Sequence, residues 1–148
     1  MSFTKIAEKL TPEELVKEID TYFREFDAIM ARYGVEKIKT IGDAYMAAGG
    51  LSNDNTTAAF DVTNAAFDVL KIVEDLKNER EALKRPAFQI RVGINTGPVV
   101  AGVVGSTKFQ YDIWGDTVNT ASRIESNGEV KELNFDPNNW LLFEMSTE

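Results

Sequence analysis

Lys39, Asp43, Asp112, Asn119 and Arg123 have the types and spacing to do chemistry. The first two share the stretch KIKTIGDAYMAAGG, residues 37–50, where a strand carrying lysines meets Gly42-Asp43 and an almost uncharged second strand follows. Gly-Asp between two such arms signals a hairpin. Either it only has to turn, Asp43 being a residue that suits a tight turn, or it presents a carboxylate from its turn and a cation from its entering strand to something bound. Asp112 lies beside Trp114 in another short strand pattern, where it could cap or pair with an arginine. Asn119 and Arg123 stand one helical turn apart, so their side chains point the same way. Read alone, they could also form an ordinary polar face whose arginine meets Asp116 or Glu125.

The bulk properties narrow the chemistry. The chain has 148 residues, enough for one domain with a real core, and 43% hydrophobic and 27% charged residues, close to the globular average. A formal charge of −8 repels a phosphate backbone, so nucleic acid is not an expected partner. Histidine and cysteine are absent, which excludes Ser-His-Asp and Cys-His mechanisms. Proton transfer near neutral pH must then use carboxylates, lysine, water or the substrate itself. No apolar run approaches the roughly 18 residues of a membrane span, and no secretory signal pattern follows Met1, so cytosolic exposure is expected.

The elements that must position these residues follow from local patterns. Thr11-Pro12-Glu13-Glu14 is a helix start with Thr11 as N-cap and Glu14 as capping-box partner. Leu15, Ile19, Phe23, Phe26 and Met30 then recur at helical spacing until Gly34. Residues 35–41 and 44–49 form the hairpin arms. A second helical pattern runs through Phe60, Ala66, Phe67, Leu70, Val73 and Leu76 and ends near Lys84-Arg85-Pro86. Phe88, Ile90, Val92 and Ile94 alternate with Gln89, Arg91 and Gly93, as in a strand with unlike faces. Residues 99–104 and 111–114 make further strands, and Gly115-Asp116 opens a helix carrying Val118, Ala121 and Ile124 on one side. The glycine-rich run 93–105 lacks both the P-loop ending and GxGxxG spacing, so close packing of the sheet explains it better. This order predicts an α+β sandwich with helices covering one face of a mainly antiparallel sheet. In the last stretch, Trp140 to Phe143 is an apolar cluster with no neighbouring partner strand, expected to dock on a groove of this or another chain.

Three segments together, EKIKTIGDAYMAAGGL, FQIRVGINTGPVVAGVVGSTKFQYDIWGDTVNTASRIESNG and the weaker SFTKIAEKLTPEELVKEIDTYFREFD, resemble the catalytic domain of the class III nucleotidyl cyclases. The resemblance covers residues 1–128 as a catalytic core and leaves 129–148 as a divergent segment. It implies a ferredoxin-like nucleotidyl cyclase fold and a head-to-tail homodimer binding ATP between its protomers. The ribose 3′-oxygen would attack the α-phosphorus in line to give cyclic AMP and pyrophosphate, with two Mg2+ or Mn2+ ions at the reacting oxygens. By the same resemblance Asp43 is a metal ligand, and Lys39 and Asp112 read the adenine edge. Asn119 orients the ribose and Arg123 stabilises transition-state charge, both from the partner of the chain that holds the metals. It also implies a cytosolic domain, as in larger membrane-attached proteins.

The chain departs from the family pattern twice. Phe3-Thr4 matches a pair that follows the family's first metal aspartate, so that aspartate and the first strand would precede Met1. After Gly128 the family's further strands and its late triphosphate-binding lysine have no match, and Lys131 lacks the glycine context of that lysine. The expectation is therefore an adenylyl cyclase domain impaired in this chain, with an inactive, dimerising or nucleotide-regulated domain as the alternative.

Overall fold

The computed structural model describes residues 6–52, 57–129, 132–135 and 143–147. Helix α1, Pro12–Tyr33, begins as the sequence predicts. The Glu14 N–H donates to Thr11 Oγ1 at 3.2 Å, and the Thr11 N–H donates to Glu14 Oε2 at 2.8 Å. Such a cap contributes about 1 kcal/mol. Gly34 ends the helix with φ 65°, a left-handed conformation that glycine adopts without strain.

Tyr22, Phe26, Ile29 and Met30 of α1 are buried against α2, Ala58–Ala82, and one face of the sheet. Each large apolar side chain buried in this layer is worth roughly 1.5–3 kcal/mol. In α2 the buried row is Ala58, Val62, Ala65, Ala66, Val69, Val73 and Leu76, whereas Phe60 and Phe67 are 71% and 57% exposed. The sequence pattern placed both phenylalanines inside. Steric room decides otherwise: a Cβ on Gly49 would stand 2.7 Å from Val62 Cγ2, so α2 lies too close to the hairpin for a ring between them. Arg80, 8% exposed, pairs with Glu18 at 2.8 Å and lies over the Tyr22 ring, which ties α2 to α1.

The strands are β1 Glu36–Ile41, β2 Ala44–Ala48, β3 Ile90–Ile94, β4 Val100–Val104, β5 Gln110–Trp114, β6 Leu133–Phe135 and β7 Phe143–Thr147. Among the described residues, five of them form one sheet in the order β1-β2-β7-β3-β6, antiparallel except for the β3–β6 pair. β4 and β5 form a separate antiparallel pair. The position of β7 corrects one expectation. Phe143 begins a strand hydrogen-bonded between β2 and β3 rather than belonging to an isolated cluster on a groove. Its pairing is long-range, so no neighbouring stretch of sequence announces it. Trp140 lies outside the described residues.

Ile90, Val92 and Ile94 face α1 and α2. Alternation sends Arg91 and Gly93 to the other face, where α3, Asp116–Asn127, packs. A second apolar cluster, Ile38, Met46, Ala48, Ile113 and Ala121, fills that side. The fold is the expected α+β sandwich, with two long helices on one face of the sheet and α3 with the β4–β5 hairpin on the other.

Candidate active site

The hairpin β1–β2 carries two of the five residues, and an irregularity aims one of them. In a regular strand Lys37 and Lys39 would share a face. Here Lys37 lies opposite Ala47 and Lys39 opposite Met46, so Ile38 is an extra residue in β1. Such a bulge re-aims the side chains that follow it. Lys37 turns toward α1, 2.9 Å from Asp27 and above the Tyr45 ring. Lys39 turns to the opposite face, where its Nζ lies 2.6 Å from Asp112 Oδ2 on β5.

The Lys39–Asp112 pair is largely shielded, its side chains 22% and 12% exposed. Asp112 Oδ1 accepts the Ile113 N–H at 2.8 Å. Burial alone would push the Asp112 carboxyl up, but the Lys39 hydrogen bond, the Ile113 N–H and the Lys39 charge together outweigh it and hold the group below its ordinary value. Gly102 stands opposite Asp112 on β4, so no cross-strand side chain covers the carboxylate from there. The result is a rigid donor–acceptor couple: an ammonium with further N–H groups to give and a carboxylate with lone pairs to share.

β5 runs straight into α3 through Gly115, whose carbonyl accepts the Asn119 N–H at 3.3 Å. Asn119 and Arg123 are both exposed on α3, one turn apart. The sequence left open a pairing of Arg123 with Glu125. That carboxylate is instead buried and held by Arg91 at 3.0 Å. Among the described residues Arg123 has no ion pair. Thus Asp112, Asn119 and Arg123 lie on consecutive elements, β5 and α3, and the bulge brings Lys39 to Asp112.

Asp43 is not part of that group. It sits in the hairpin turn after Gly42, whose φ is 57°. Two strand steps, about 7 Å, separate the level of Lys39 from the end of β1 before the turn begins. Among the described residues no group of three or more His, Cys, Asp or Glu side chains is arranged to hold a metal ion.

Sequence reading missed the Ile38 bulge and the residues under α3, namely Arg91, Asn95, Thr117 and Glu125. Their only local signal was the alternation that set Arg91 and Gly93 on a face of their own. Two glycines of the run, Gly93 and Gly97, pack closely against α3. A Cβ on Gly93 would lie 2.4 Å from the Glu125 nitrogen, and one on Gly97 would lie 2.4 Å from Thr117 Oγ1. The β4–β5 hairpin carries several exposed apolar side chains, with Val100 69%, Val103 60% and Phe109 78% exposed.

Two long helices on one face of a mainly antiparallel sheet, with a third helix on the other, match the fold of solved nucleotidyl cyclase catalytic domains. The sequence profile of the adenylate and guanylate cyclase catalytic domain matches residues 1–144, and the chain belongs to that family. It is 40% identical over 139 residues to an adenylate cyclase of Mycobacterium tuberculosis, covering 90% of this chain and 29% of that protein. It is 39% identical over 130 residues to the receptor-type guanylate cyclase gcy-5 of Caenorhabditis elegans, covering 87% of this chain and 11% of that protein. The chain thus spans less than a third of the length of these curated relatives. Among solved structures, the catalytic core of a rhodopsin-guanylyl cyclase with converted specificity, in complex with ATPalphaS, superimposes with a TM-score of 0.79 at 28% identity, covering 98% of this chain and 89% of that one. Class III cyclase domains generally use divalent metal ions. Among the described residues no helix is long and apolar enough to cross a membrane.

Proposed function

We propose that this domain converts ATP to 3′,5′-cyclic AMP and pyrophosphate at a site shared by two copies paired head to tail. The observation that carries the choice of base is the Lys39–Asp112 couple. Adenine offers a ring acceptor at N1 beside an amine donor at C6, which an ammonium next to a carboxylate can serve; in the guanine-selective pattern of the family a glutamate and a small residue stand at these two positions. Relatives of both kinds exist, so the couple and not the family supports ATP. The solved relative with converted specificity holds an ATP analogue, which agrees with the reading.

In this reading Lys39 donates to N1 while keeping its bond to Asp112, whose free lone pairs accept the C6 amine. Asn119 orients the ribose. Arg123 offers its guanidinium to the phosphates as the 3′-oxygen bonds to the α-phosphorus and the bond to the pyrophosphate oxygen breaks. The 3′-hydroxyl proton leaves to water or to a phosphate oxygen, since the chain has no histidine to take it. Asp43 serves the metal side of the composite site, paired with the other protomer's base-reading residues. The exposed Val100, Val103 and Phe109 of the β4–β5 hairpin support the dimer, because a monomer rarely leaves such a patch in water.

Incubating the chain with manganese and either ATP or GTP tests the reading. Detectable but impaired cyclic AMP formation from ATP, with GTP the poorer substrate, is expected. Saturable ATP binding without turnover would replace it by the alternative of a cyclase-like domain that binds nucleotide and dimerises.

A further inference from the structure

The face of α3 opposite Asn119 and Arg123 is fixed to β3 in a regular way. Arg91, Gly93 and Asn95 are two residues apart and project from the same side of β3 and its extension. Thr117, Ala121 and Glu125 are four apart on one side of α3. The two rows meet rung by rung. Arg91 Nε lies 3.0 Å from Glu125 Oε1. Gly93 leaves no space for even a Cβ, which would come within 2.5 Å of the Ala121 carbonyl oxygen. The Asn95 side-chain amide donates to the Thr117 carbonyl at 3.1 Å. The match is metrical: two strand residues advance about 6.7 Å, and four helical residues about 6 Å.

The rotation of the helix follows from this ladder. At about 100° per residue, the mean direction of Thr117, Ala121 and Glu125 lies about 180° from that of Asn119 and Arg123. A one-residue slip of α3 over β3 would swing the tips of Asn119 and Arg123 by about 8 Å around a helix roughly 11 Å wide. The Gly93 rung is a smooth contact and does not oppose such a slip by itself. A buried ion pair adds little net stability, yet it can specify one register among several.

We propose that Arg91 and Glu125 are positioning residues: their ion pair sets the register of α3 on β3 and so aims Asn119 and Arg123 at the nucleotide. The role rests on the function proposed above, and it makes Arg91 and Glu125 matter for turnover although neither touches substrate. The Ser126 hydroxyl, donating to the second Glu125 oxygen at 3.1 Å, holds the carboxylate in the orientation that Arg91 requires.

The test compares the parent chain, Arg91→Lys, and the double variant Arg91→Met with Glu125→Leu. The double variant removes both charges together, so no unpaired carboxylate is left buried and the fold is retained. Two readouts are taken. In the first, kcat for ATP falls about 10- to 100-fold in the double variant while KM stays within about twofold, as for a misplacement near 1 Å or more; Arg91→Lys recovers most of the rate. In the second, spin labels are placed on Asn78→Cys of α2 and Arg123→Cys of α3, unambiguous because the chain has no cysteine. In the double variant the label-to-label distances should broaden or gain a displaced component, and in Arg91→Lys they should match the parent background. A distance distribution in the double variant that superimposes on the parent's would overturn the register role, whatever happens to turnover. Displaced distances with a parent chain that makes no cyclic nucleotide would sink the proposed function and leave the ladder standing. Equal losses of kcat in Arg91→Lys and the double variant would also count against a register role.

Discussion

Replacing Lys39 by methionine keeps the bulk of the side chain and removes its charge, leaving Asp112 as a shielded carboxylate with one remaining donor, the Ile113 N–H. Breaking a buried pair by deleting one partner costs about 3–5 kcal/mol. Lys39 keeps 22% and Asp112 12% of its side chain in contact with water, and the Ile113 bond survives, so the lower end applies: about 3 kcal/mol at pH 7. For a chain of this length that corresponds to a fall in Tm of roughly 5–10 °C. The pH dependence carries the sign. In the parent, the folded Asp112 carboxyl lies below its unfolded value of 3.8, so its stabilisation is present above that pH and is lost as pH falls through the lower folded value. In Lys39→Met burial is no longer outweighed, and the carboxyl should rise above its ordinary range. The stability gap between parent and variant is therefore widest near neutrality and closes as pH drops through the carboxylate range. Urea denaturation at pH 7 and pH 4, at fixed protomer concentration, measures it. Replacing both partners, Lys39→Met with Asp112→Leu, should recover most of the loss. A gap that is the same at both pH values, or a double variant as unstable as the single, would refute the reasoning.

Three further outcomes follow from the geometry. Gly93→Ala should cost about 1–3 kcal/mol, because its Cβ meets backbone atoms of α3 at 2.4 and 2.5 Å that cannot step aside, whereas Gly102→Ala, with nothing nearer than 3.6 Å, should leave Tm unchanged. Phe109→Ser, at a 78% exposed tip, should shift sedimentation from dimer to monomer without lowering the monomer's own stability. Burial, followed by its hydrogen bond to Asp27, pushes the Tyr45 phenol far above its ordinary 10. Its stabilising effect is thus full below pH 10 and lost above it, and absorbance titration should show fewer than the four tyrosines ionising before alkaline unfolding.

Legibility in the sequence tracked how local each cause is. Helix α1 could be read to the residue at its start because Thr11 and Glu14 satisfy each other within one turn. The buried side of α2 could not, because the large rings of Phe60 and Phe67 outweigh small alanines in any pattern of hydrophobicity, while the close approach of Gly49 decides the packing. The central strand β7 escaped notice because both its partners lie far away in sequence. Lys39 and Asp112 were legible as types, through a resemblance, but 73 residues separate them, and only the bulge at Ile38 explains why Lys39 and not Lys37 meets Asp112. The ladder beneath α3 was half visible as alternation in β3. Its other half required the helix to be set down upon it.

The central claim, one site made from two chains, is tested most directly by mixing two dead variants. Asp43→Asn removes the metal side and Arg123→Ala the phosphate side, each abolishing cyclic AMP formation alone. In a head-to-tail dimer a mixed pair holds one intact site and one doubly damaged site. Random reassortment of equal amounts should then restore about a quarter of the parent's rate. A mixture as inactive as either variant, with mixed dimers shown to be present, would contradict a site shared between copies.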